Sequence, residues 1–419
     1  DGDGGGASLN GAEEGSRLEV THSMFRNNRA DGNGGAVQVI DCMVESGGVA
    51  LFNDNEIISN TAGSQGGGFY VSSAFAYEGG VAEFNRTWIE GNRSGGNGGG
   101  VRMSNATDSA VAQIINNTII NNLAVDGHGG GIYMGDIAYT GSRTEFRDNV
   151  IGGNVISSTG SYHGGGIRIA GMGDGDAAWM TGNVISGNVA TGQGGGLFWD
   201  DEVGYGSRLY FQNNDLLNNE AAEGGGCHFD GSWQDGGPVF FTGNHVSENV
   251  AWGDHGGCTF HDIDEGTIAF IKGNEFSNNT AGGDYGGVHL GRLAEGAVVE
   301  FWNNQIVGNR AGVSETLLLG GDYGGMGVGK IQYHGLLDFR NNQVLTNTAA
   351  LTGSHGGLVV HLERGGKLLM EESTIAGNAA GDSFGGLSVV ITPTAWLEMN
   401  QNVIRANTAA TEGGGVHIF

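Results

Sequence analysis

Carboxylates and histidines recur where three short apolar strands end in the middle of the chain. Asp200 and Asp201 are followed by Asp230, and then by His261 and Asp262, at intervals near 30 residues. One protonated acid and one base in such a group are the machinery of glycoside hydrolysis, and carboxylate oxygens are the ligands that Ca²⁺ prefers. An enzyme would use Asp200, Asp230, His261 and Asp262 as its catalytic set. A cation site would use Asp200, Asp201, Asp230, Asp262 and Asp264. Because the chain has 46 acidic residues, a chance cluster of solvated acids is the third interpretation.

Aromatic and cationic side chains form two further candidate binding sets. In the first, an outward position between two apolar residues is filled in successive strands by Tyr70, Arg102, Tyr133 and Arg168. These could stack as a self-satisfied ladder of cation–π pairs, or form a platform for sugar rings or a partner protein. In the second, the glycine that opens a glycine run elsewhere is replaced by His255, Tyr285, Tyr323, His355 and Phe384. That set is either an outward ridge that binds sugars or packing inside a corner.

All of these residues take their positions from an internal repeat. Each copy has an apolar residue, an Asn three residues later, a second apolar residue, a second Asn, and then a glycine run. The second Asn is present in thirteen copies separated by 29 to 38 residues: Asn28, Asn60, Asn92, Asn122, Asn154, Asn188, Asn219, Asn249, Asn279, Asn309, Asn347, Asn378 and Asn407. Self-similarity at this period indicates stacked structural units.

The residue pattern within a copy predicts strands. Apolar and polar residues alternate after the glycine run, as in Val101-Arg102-Met103, and alternation with period two is typical of half-buried strands. One copy cannot bury its own apolar face, so neighbouring copies must stack. We therefore predict an all-β fold, a right-handed parallel β-helix (solenoid) of about 13 coils of 29–38 residues, with its hand taken from the usual crossover preference. Residues 1–419 are expected to form one repeat domain.

The recurring Asn has two physical explanations. Asn tolerates left-handed turn geometry, and identical amides stacked one coil apart can hydrogen-bond in a ladder. An inward Asn is costly unless it is satisfied in this way. We predict a structural ladder that includes Asn60, Asn122, Asn188, Asn219, Asn249, Asn279, Asn309 and Asn347.

Two short motifs resemble those of a known family. The motif Gly34-Gly35-Ala36-Val37 pairs with Phe-x-x-Asn at Phe52–Asn55, Phe211–Asn214 and Phe339–Asn342. This combination resembles the repeats of chlamydial polymorphic outer-membrane proteins, and the resemblance covers essentially the whole chain. It implies a right-handed β-helix displayed on a cell surface as an adhesin. The Phe position of the motif also admits Ile and Met here, and no membrane-barrel domain is visible.

Composition excludes several function classes. The net charge of −28 disfavours binding to nucleic acid and to anionic membranes, and no apolar run is long enough to predict a membrane span. The sequence contains no Walker or H-E-x-x-H motif. No cofactor is predicted apart from Ca²⁺ at the acidic group.

The cysteines allow two readings. Cys227 and Cys258 occupy the same inward column on neighbouring coils, where the Cα separation suits a disulfide. Two buried thiols would fit the same column of small apolar residues. With Cys42 the total is odd, so the redox compartment is not fixed by cysteine count.

These observations favour a secreted or cell-surface solenoid with a structural or adhesive, non-catalytic role. Its expected partners are a polysaccharide or a surface protein. The alternatives are a polysaccharide-degrading hydrolase or lyase acting around Asp230, and a self-assembling extracellular fibre. Both ends of the sequence cut a repeat, so we expect either that the chain is part of a longer protein or that its bare ends stack on other copies. The apolar segment Val313–Leu319 is expected either to fold back on the solenoid or to contact a partner.

Overall fold

The computed structural model describes residues 2–138, 141–234, 237–312, 323–350 and 354–419, and throughout this part of the chain the regular structure is strand. The segment Val313–Leu319 lies outside the described residues. Two compact units divide the chain, Asp1–Tyr210 and Phe211–Phe419. Each unit is a β-solenoid of parallel strands, and together they hold about thirteen turns. The predicted fold class is therefore confirmed. In the described ranges no helix is long and apolar enough to cross a membrane.

Each turn contains four strand positions, which we number from the glycine run onward as columns one to four. Column one follows the glycines, column two ends before the first Asn, column three lies between the two Asn positions, and column four follows the second Asn. Strands of one column pair in parallel and in register, as in Phe84 with Ile114 and Phe241 with Ile271. Because the strands pair in register, residues at equivalent positions of successive repeats lie above one another in the structure.

In the first unit, the strands of column one are Ala7–Ala12, Val37–Val44, Phe69–Val71, Val101–Met103, Ile132–Met134, Ile167–Ile169 and Leu197–Trp199, with the additional strands Ala74–Ala76, Asn105–Thr107 and Ile137–Ala138. Column two comprises Arg17–Thr21, Val49–Asn53, Val81–Asn85, Val111–Ile115, Arg143–Arg147, Ala177–Thr181 and Arg208–Gln212, the last of which ends beyond the unit boundary. Column three comprises Met24–Arg26, Glu56–Ile58, Trp88–Glu90, Thr118–Ile120, Val150–Gly152 and Val184–Ser186. Column four comprises Arg29–Ala30, Thr61–Ala62, Arg93–Ser94, Leu123–Ala124 and Val155–Ile156.

In the second unit, the strands of column one are Cys227–Phe229, Cys258–Ile263, Val288–Leu293, Met326–Ile331, Leu358–Leu362, Leu387–Ile391 and Val416–Ile418. Column two comprises Pro238–Thr242, Ile268–Lys272, Val298–Trp302, Leu336–Arg340, Lys367–Glu371 and Trp396–Asn400. Column three comprises Asp215–Leu217, His245–Ser247, Glu275–Ser277, Gln305–Val307, Gln343–Leu345, Thr374–Ala376 and Val403–Arg405. Column four comprises Glu220–Ala221, Val250–Ala251, Thr280–Ala281, Arg310–Ala311, Thr348–Ala349, Ala379–Ala380 and Thr408–Ala409.

The core of each unit is built from the inward apolar columns. In the first unit the buried rings of Phe52 and Phe84 stack with centroids 5.1 Å apart. In the second unit Phe211 and Phe241 do the same at 5.0 Å. Burying a side chain of this size contributes about 1.5–3 kcal/mol. The repeat of one apolar residue per turn therefore supplies a continuous stabilising column within each unit.

The asparagine ladder is confirmed in both units. The backbone amide and the Nδ2 of Asn60 each donate to Oδ1 of Asn92 at 2.9 Å, and the same Nδ2 donates to the Phe25 carbonyl at 3.0 Å. In the second unit Asn219 makes the corresponding pair of bonds to Asn249. The eight predicted ladder residues are all buried. Their amides are hydrogen-bonded along the column, which removes the cost of burying them.

The left-handed geometry expected of the ladder residues lies elsewhere. Positive φ angles occur at the residue immediately before the ladder Asn, for example at Asn121 (58°) and Asn218 (54°), and the ladder residues themselves do not have them. The prediction that the ladder Asn adopts the left-handed turn was therefore wrong. Its side chain must face inward to reach the next turn, and the preceding residue makes the corner instead.

The opening glycine of each run also has a left-handed backbone. Gly66 has a φ of 63° and Gly98 a φ of 70°, a region that costs a residue with a Cβ roughly 1–2 kcal/mol. In the second unit the same position is held by His255 (66°) and Tyr285 (58°). These two residues therefore carry side chains at a backbone conformation that favours glycine.

Candidate functional site

The column of rings predicted from the sequence is a continuous stack in the second unit. We call His255, Tyr285, Tyr323, His355 and Phe384 the ring column. Successive ring centroids are separated by 5.2, 4.6, 5.2 and 5.1 Å. Beyond Tyr285 the residues of the ring column lie in isolated parallel β-bridges, which pair Tyr323 with His355 and His355 with Phe384. Each ring therefore packs on the ring of the next turn.

The ring column is partly withdrawn from solvent. Tyr285 also packs on His289 with centroids 4.1 Å apart, and His289 packs on His255 at 4.8 Å. Burial raises the pKa of Tyr285 and lowers the pKa of His255 well below its usual value. The pKa of His289 falls to about 3, again mainly by burial. These histidines are thus neutral at physiological pH. The faces of the rings contact one another, as packing inside a corner requires. Sugar binding by Tyr285, Tyr323, His255 or His355 stays a prediction.

The second predicted set is a cation–π ladder in the first unit. The Arg102 guanidinium lies 5.2 Å from the Tyr70 ring centre and 5.6 Å from that of Tyr133, and Arg168 lies 4.7 Å from Tyr133. Arg102 Nη1 donates to the Val71 carbonyl at 2.8 Å. Tyr70 and Arg168 are each only 9% exposed. The four side chains are brought together in the order that the ladder interpretation requires, while Arg102 Nε and the Nε and Nη1 atoms of Arg168 are buried without a hydrogen bond.

The acidic residues fall into separate local groups. In the first unit the Asp200 carboxylate contacts the Arg168 guanidinium, and Asp201 Oδ1 accepts a hydrogen bond from the Glu202 amide at 2.9 Å. Asp200 and Asp201 belong to the first unit, and the other predicted members belong to the second. Asp136, two turns before Asp200 and Asp201, has its pKa raised by burial.

In the second unit a cation that the sequence analysis overlooked lies among the predicted ligands. Arg292 Nη2 lies 3.0 Å from both Asp262 Oδ2 and Asp264 Oδ1. Asp230 Oδ1 lies 3.3 Å from His228 Nε2, while His261 is exposed. Arg292 already supplies positive charge to two of the proposed Ca²⁺ ligands. Catalysis and Ca²⁺ binding by these residues stay predictions.

A face that sequence reasoning missed lies on the outward side of column two. In the first unit Trp179 and Tyr210 stack at 5.2 Å with an interplanar angle of 8°, and Arg143 lies 4.3 Å from the Trp179 ring centre. These rings are half-buried. The alternation of apolar and polar residues in column two marks these rings as outward. A comparison of that outward position in successive copies of the repeat could have found them from the sequence. We call this part of the first unit, with its counterpart in the second, the exposed aromatic face.

The counterpart in the second unit repeats the arrangement with different residues. Phe240 and Phe270 stack at 4.9 Å with an interplanar angle of 11°. Lys272 Nζ lies 4.6 Å from the Phe270 ring centre and 3.8 Å from that of Trp302. Lys272 also contacts Glu300. Aromatic rings and cations thus lie together at this outward position of column two in each unit.

Two concave regions lie away from the predicted sites. A groove of about 540 Å³ is lined by Glu295, Gln332, Tyr333, Glu363 and Arg364. A smaller one of about 210 Å³ lies beside Cys42 and is lined mainly by Asn10–Glu13 and Ile40–Cys42. The residues predicted for catalysis line neither of these grooves.

The structure joins Cys227 and Cys258 in a disulfide with a Cα–Cα distance of 4.6 Å. It links two turns of column one in the second unit, where the two residues are register partners. Cys42 is a free thiol, and burial together with a hydrogen bond to Glu45 raises its pKa to about 11. Cys42 is therefore a poor nucleophile at neutral pH.

Comparisons with known proteins add little to this geometry. No protein-family model matches the chain, so no family match confirms the resemblance to chlamydial repeats. No curated protein matches it either. A crystal structure of a TibC-catalysed, hyper-glycosylated TibA fragment is similar, with 12% identity, 97% of this chain and 99% of that chain covered, and a TM-score of 0.20. A similarity this low supports no conclusion about ligand or partner.

Proposed function

We propose that the chain is an extracellular or cell-surface β-solenoid with an adhesive and structural role, and that it binds through its exposed aromatic face. The observation that carries this proposal is the stacking of half-exposed rings on neighbouring turns of column two in each unit. A cation lies beside Trp179 in the first unit and beside Phe270 and Trp302 in the second. Trp, Tyr and Arg are enriched among the residues that carry most of the binding energy at protein–protein interfaces. The expected ligand is a surface polysaccharide or a surface protein.

Rigidity supports an adhesive role. Ring positions on this face are fixed by in-register strand pairing, as in Phe240 with Phe270. The asparagine ladder and apolar columns hold that register from inside each unit. A preorganised surface loses little conformational entropy on binding, and repetition along the turns provides several weak contacts that act together.

Catalysis is supported less well. Transition-state stabilisation is strongest in a site from which water is excluded, whereas His261 is exposed and Asp230 is only half-buried. The His228–Asp230 contact is the one observation that favours the alternative, a polysaccharide-acting enzyme. A base oriented by a carboxylate is a recurring catalytic arrangement.

A binding panel tests the proposal. The protein is incubated with immobilised polysaccharides and with intact cell-surface protein fractions, with and without Ca²⁺, and both retention and new reducing chain ends are measured. We expect retention without new ends, and at least fivefold weaker retention for Trp179→Ala combined with Phe270→Ala. Trp88→Ala is the matched control, because Trp88 is 43% exposed on column three.

Two results would overturn the proposal. One is new chain ends that disappear in Asp230→Asn with the fold intact, which would establish the enzyme. The other is retention that is equal for the Trp179/Phe270 variant and the Trp88 variant, which would exclude the exposed aromatic face as the binding surface. Circular dichroism of each variant verifies that strand content is unchanged.

A further inference from the structure

Two histidines and a glutamate converge in the second unit, a grouping that the sequence patterns did not predict. Glu223 lies in the loop before a glycine run, His228 in the strand Cys227–Phe229, and His255 one turn later at the opening-glycine position. One potential ligand atom from each lies within 4.8 Å of the others. The Cys227–Cys258 disulfide connects the same two turns, beside His228 and three residues after His255. The backbone that carries both histidines is thus covalently tied.

His228 is oriented by a carboxylate. Its Nε2 lies 3.3 Å from Asp230 Oδ1, and its side chain is 2% exposed. A neutral imidazole that donates from Nε2 presents Nδ1 as a lone-pair donor. Metal-binding histidines commonly donate their other ring nitrogen to a carboxylate in this way, which fixes the tautomer and increases the basicity of the ligating nitrogen.

His255 supplies an observation of its own. Its Nδ1 atom is buried and makes no hydrogen bond, although a buried imidazole nitrogen is normally satisfied. The residue also keeps a φ of 66° at a position where Gly224, one turn earlier, has 62°. Its ring packs against those of His289 and Tyr285 at centroid distances of 4.8 and 5.2 Å.

We propose that Glu223, His228 and His255 form a binding site for a divalent transition metal of the zinc class. Two imidazoles and one carboxylate are a ligand set that Zn²⁺ accepts, with a fourth position left for water or an external ligand. Imidazole nitrogen favours such a metal over Ca²⁺ and Mg²⁺, which prefer oxygen. Zinc–ligand bonds of about 2.1 Å need ligand atoms roughly 3.4 Å apart, so small side-chain rotations would complete the site.

The site is independent of the function proposed above. It uses no residue of the exposed aromatic face, and it differs from the Ca²⁺ ligands predicted from the sequence, which were all aspartates. Asp230 belongs to both, but here it orients His228 and does not bind the metal. Binding at Glu223, His228 and His255 would link the glycine-run loop to the disulfide-tied turns.

The test is titration of the full chain with Zn²⁺ by calorimetry, with millimolar Mg²⁺ present to occupy the exposed carboxylates. We expect one equivalent of Zn²⁺ to bind tightly, and Co²⁺ to give the visible absorption of a low-coordinate nitrogen and oxygen site. Glu223→Gln and His255→Gly should each lose this equivalent. Asp230→Asn should weaken binding by about 10- to 100-fold, as expected when the partner of a metal-bound histidine is removed.

His355→Gly is the matched control, because it removes a histidine from the same ring column two turns beyond Tyr285. It should bind Zn²⁺ as the parent does. Glu223→Gln keeps the side-chain shape and so separates metal loss from misfolding, which circular dichroism monitors in every variant. Absence of tight Zn²⁺ binding by the parent, or binding that persists in both Glu223→Gln and His255→Gly, would overturn the proposal.

Discussion

Asn249 donates from both its backbone amide and its Nδ2 to the same Oδ1 of Asn279, at 3.0 Å in each case. The same Nδ2 also donates to the Leu216 carbonyl at 2.9 Å. One side chain therefore connects three consecutive turns of the second unit. Because both residues are fully buried, no water replaces these bonds when one partner is removed.

Asn279→Ala should destabilise the protein by roughly 3 kcal/mol or more. It leaves two donors of Asn249 without an acceptor and the Val246 carbonyl without its donor, and each unsatisfied buried group costs about 1–3 kcal/mol. Thermal unfolding followed by circular dichroism measures the loss. Asn400→Ala, at an exposed position, is the control, and an equal effect of the two variants would show that the ladder contributes nothing special.

Asp176→Ser should stabilise the protein at neutral pH. Burial raises the Asp176 pKa from 3.8 to about 6, and its Oδ2 is buried without a hydrogen bond. The folded state thus holds a proton that the unfolded state has released, so stability falls as the pH rises from about 4 to about 6. Ser occupies the equivalent position of the adjacent turns, at Ser142 and Ser207.

The expected gain at pH 7 is on the order of 2 kcal/mol, and it should vanish below about pH 4. Urea unfolding of the parent and of Asp176→Ser between pH 3.5 and 7.5 measures this difference. A gain that does not depend on pH would mean that packing, and not ionisation, separates the two proteins.

The disulfide should be visible by thiol counting. Of the three cysteines, only Cys42 should react with iodoacetamide in denaturant without reductant, and all three should react after reduction. Replacing Cys227 and Cys258 together by Ala should cost about 2–4 kcal/mol, because the bond closes a loop with a sequence separation of 31. Mass spectrometry that finds three labels before reduction would contradict the pairing.

Arg102→Met should lower stability and leave ligand retention unchanged. The variant loses the hydrogen bond to the Val71 carbonyl and the contacts to Tyr70 and Tyr133, which together are worth about 1–2 kcal/mol. Arg26→Met, at an exposed site on column three, is the matched control. If Arg102→Met instead abolished retention of a polysaccharide at unchanged stability, the ladder would be a binding platform.

Much of the fold could be predicted because a solenoid repeats its constraints. The position of Phe84 or Ile57 within a copy defines it as inward, since strand alternation assigns each residue to one face. The ladder Asn residues could be predicted for the same reason: one buried amide per turn has its partner one turn away. The finer conformation was missed, because whether Asn121 or Asn122 makes the left-handed corner depends on which side chain must face inward.

The sequence by itself determined the turns, the apolar columns and the amide ladder, because each follows from the residue's place in a single copy. Only the tertiary structure decided the lateral contacts of side chains that lie on different turns and different strands. It placed Arg292 between Asp262 and Asp264 and brought Glu223, His228 and His255 together. Those contacts depend on how far each side chain reaches across neighbouring turns, and a periodic pattern along one chain carries no information about that reach.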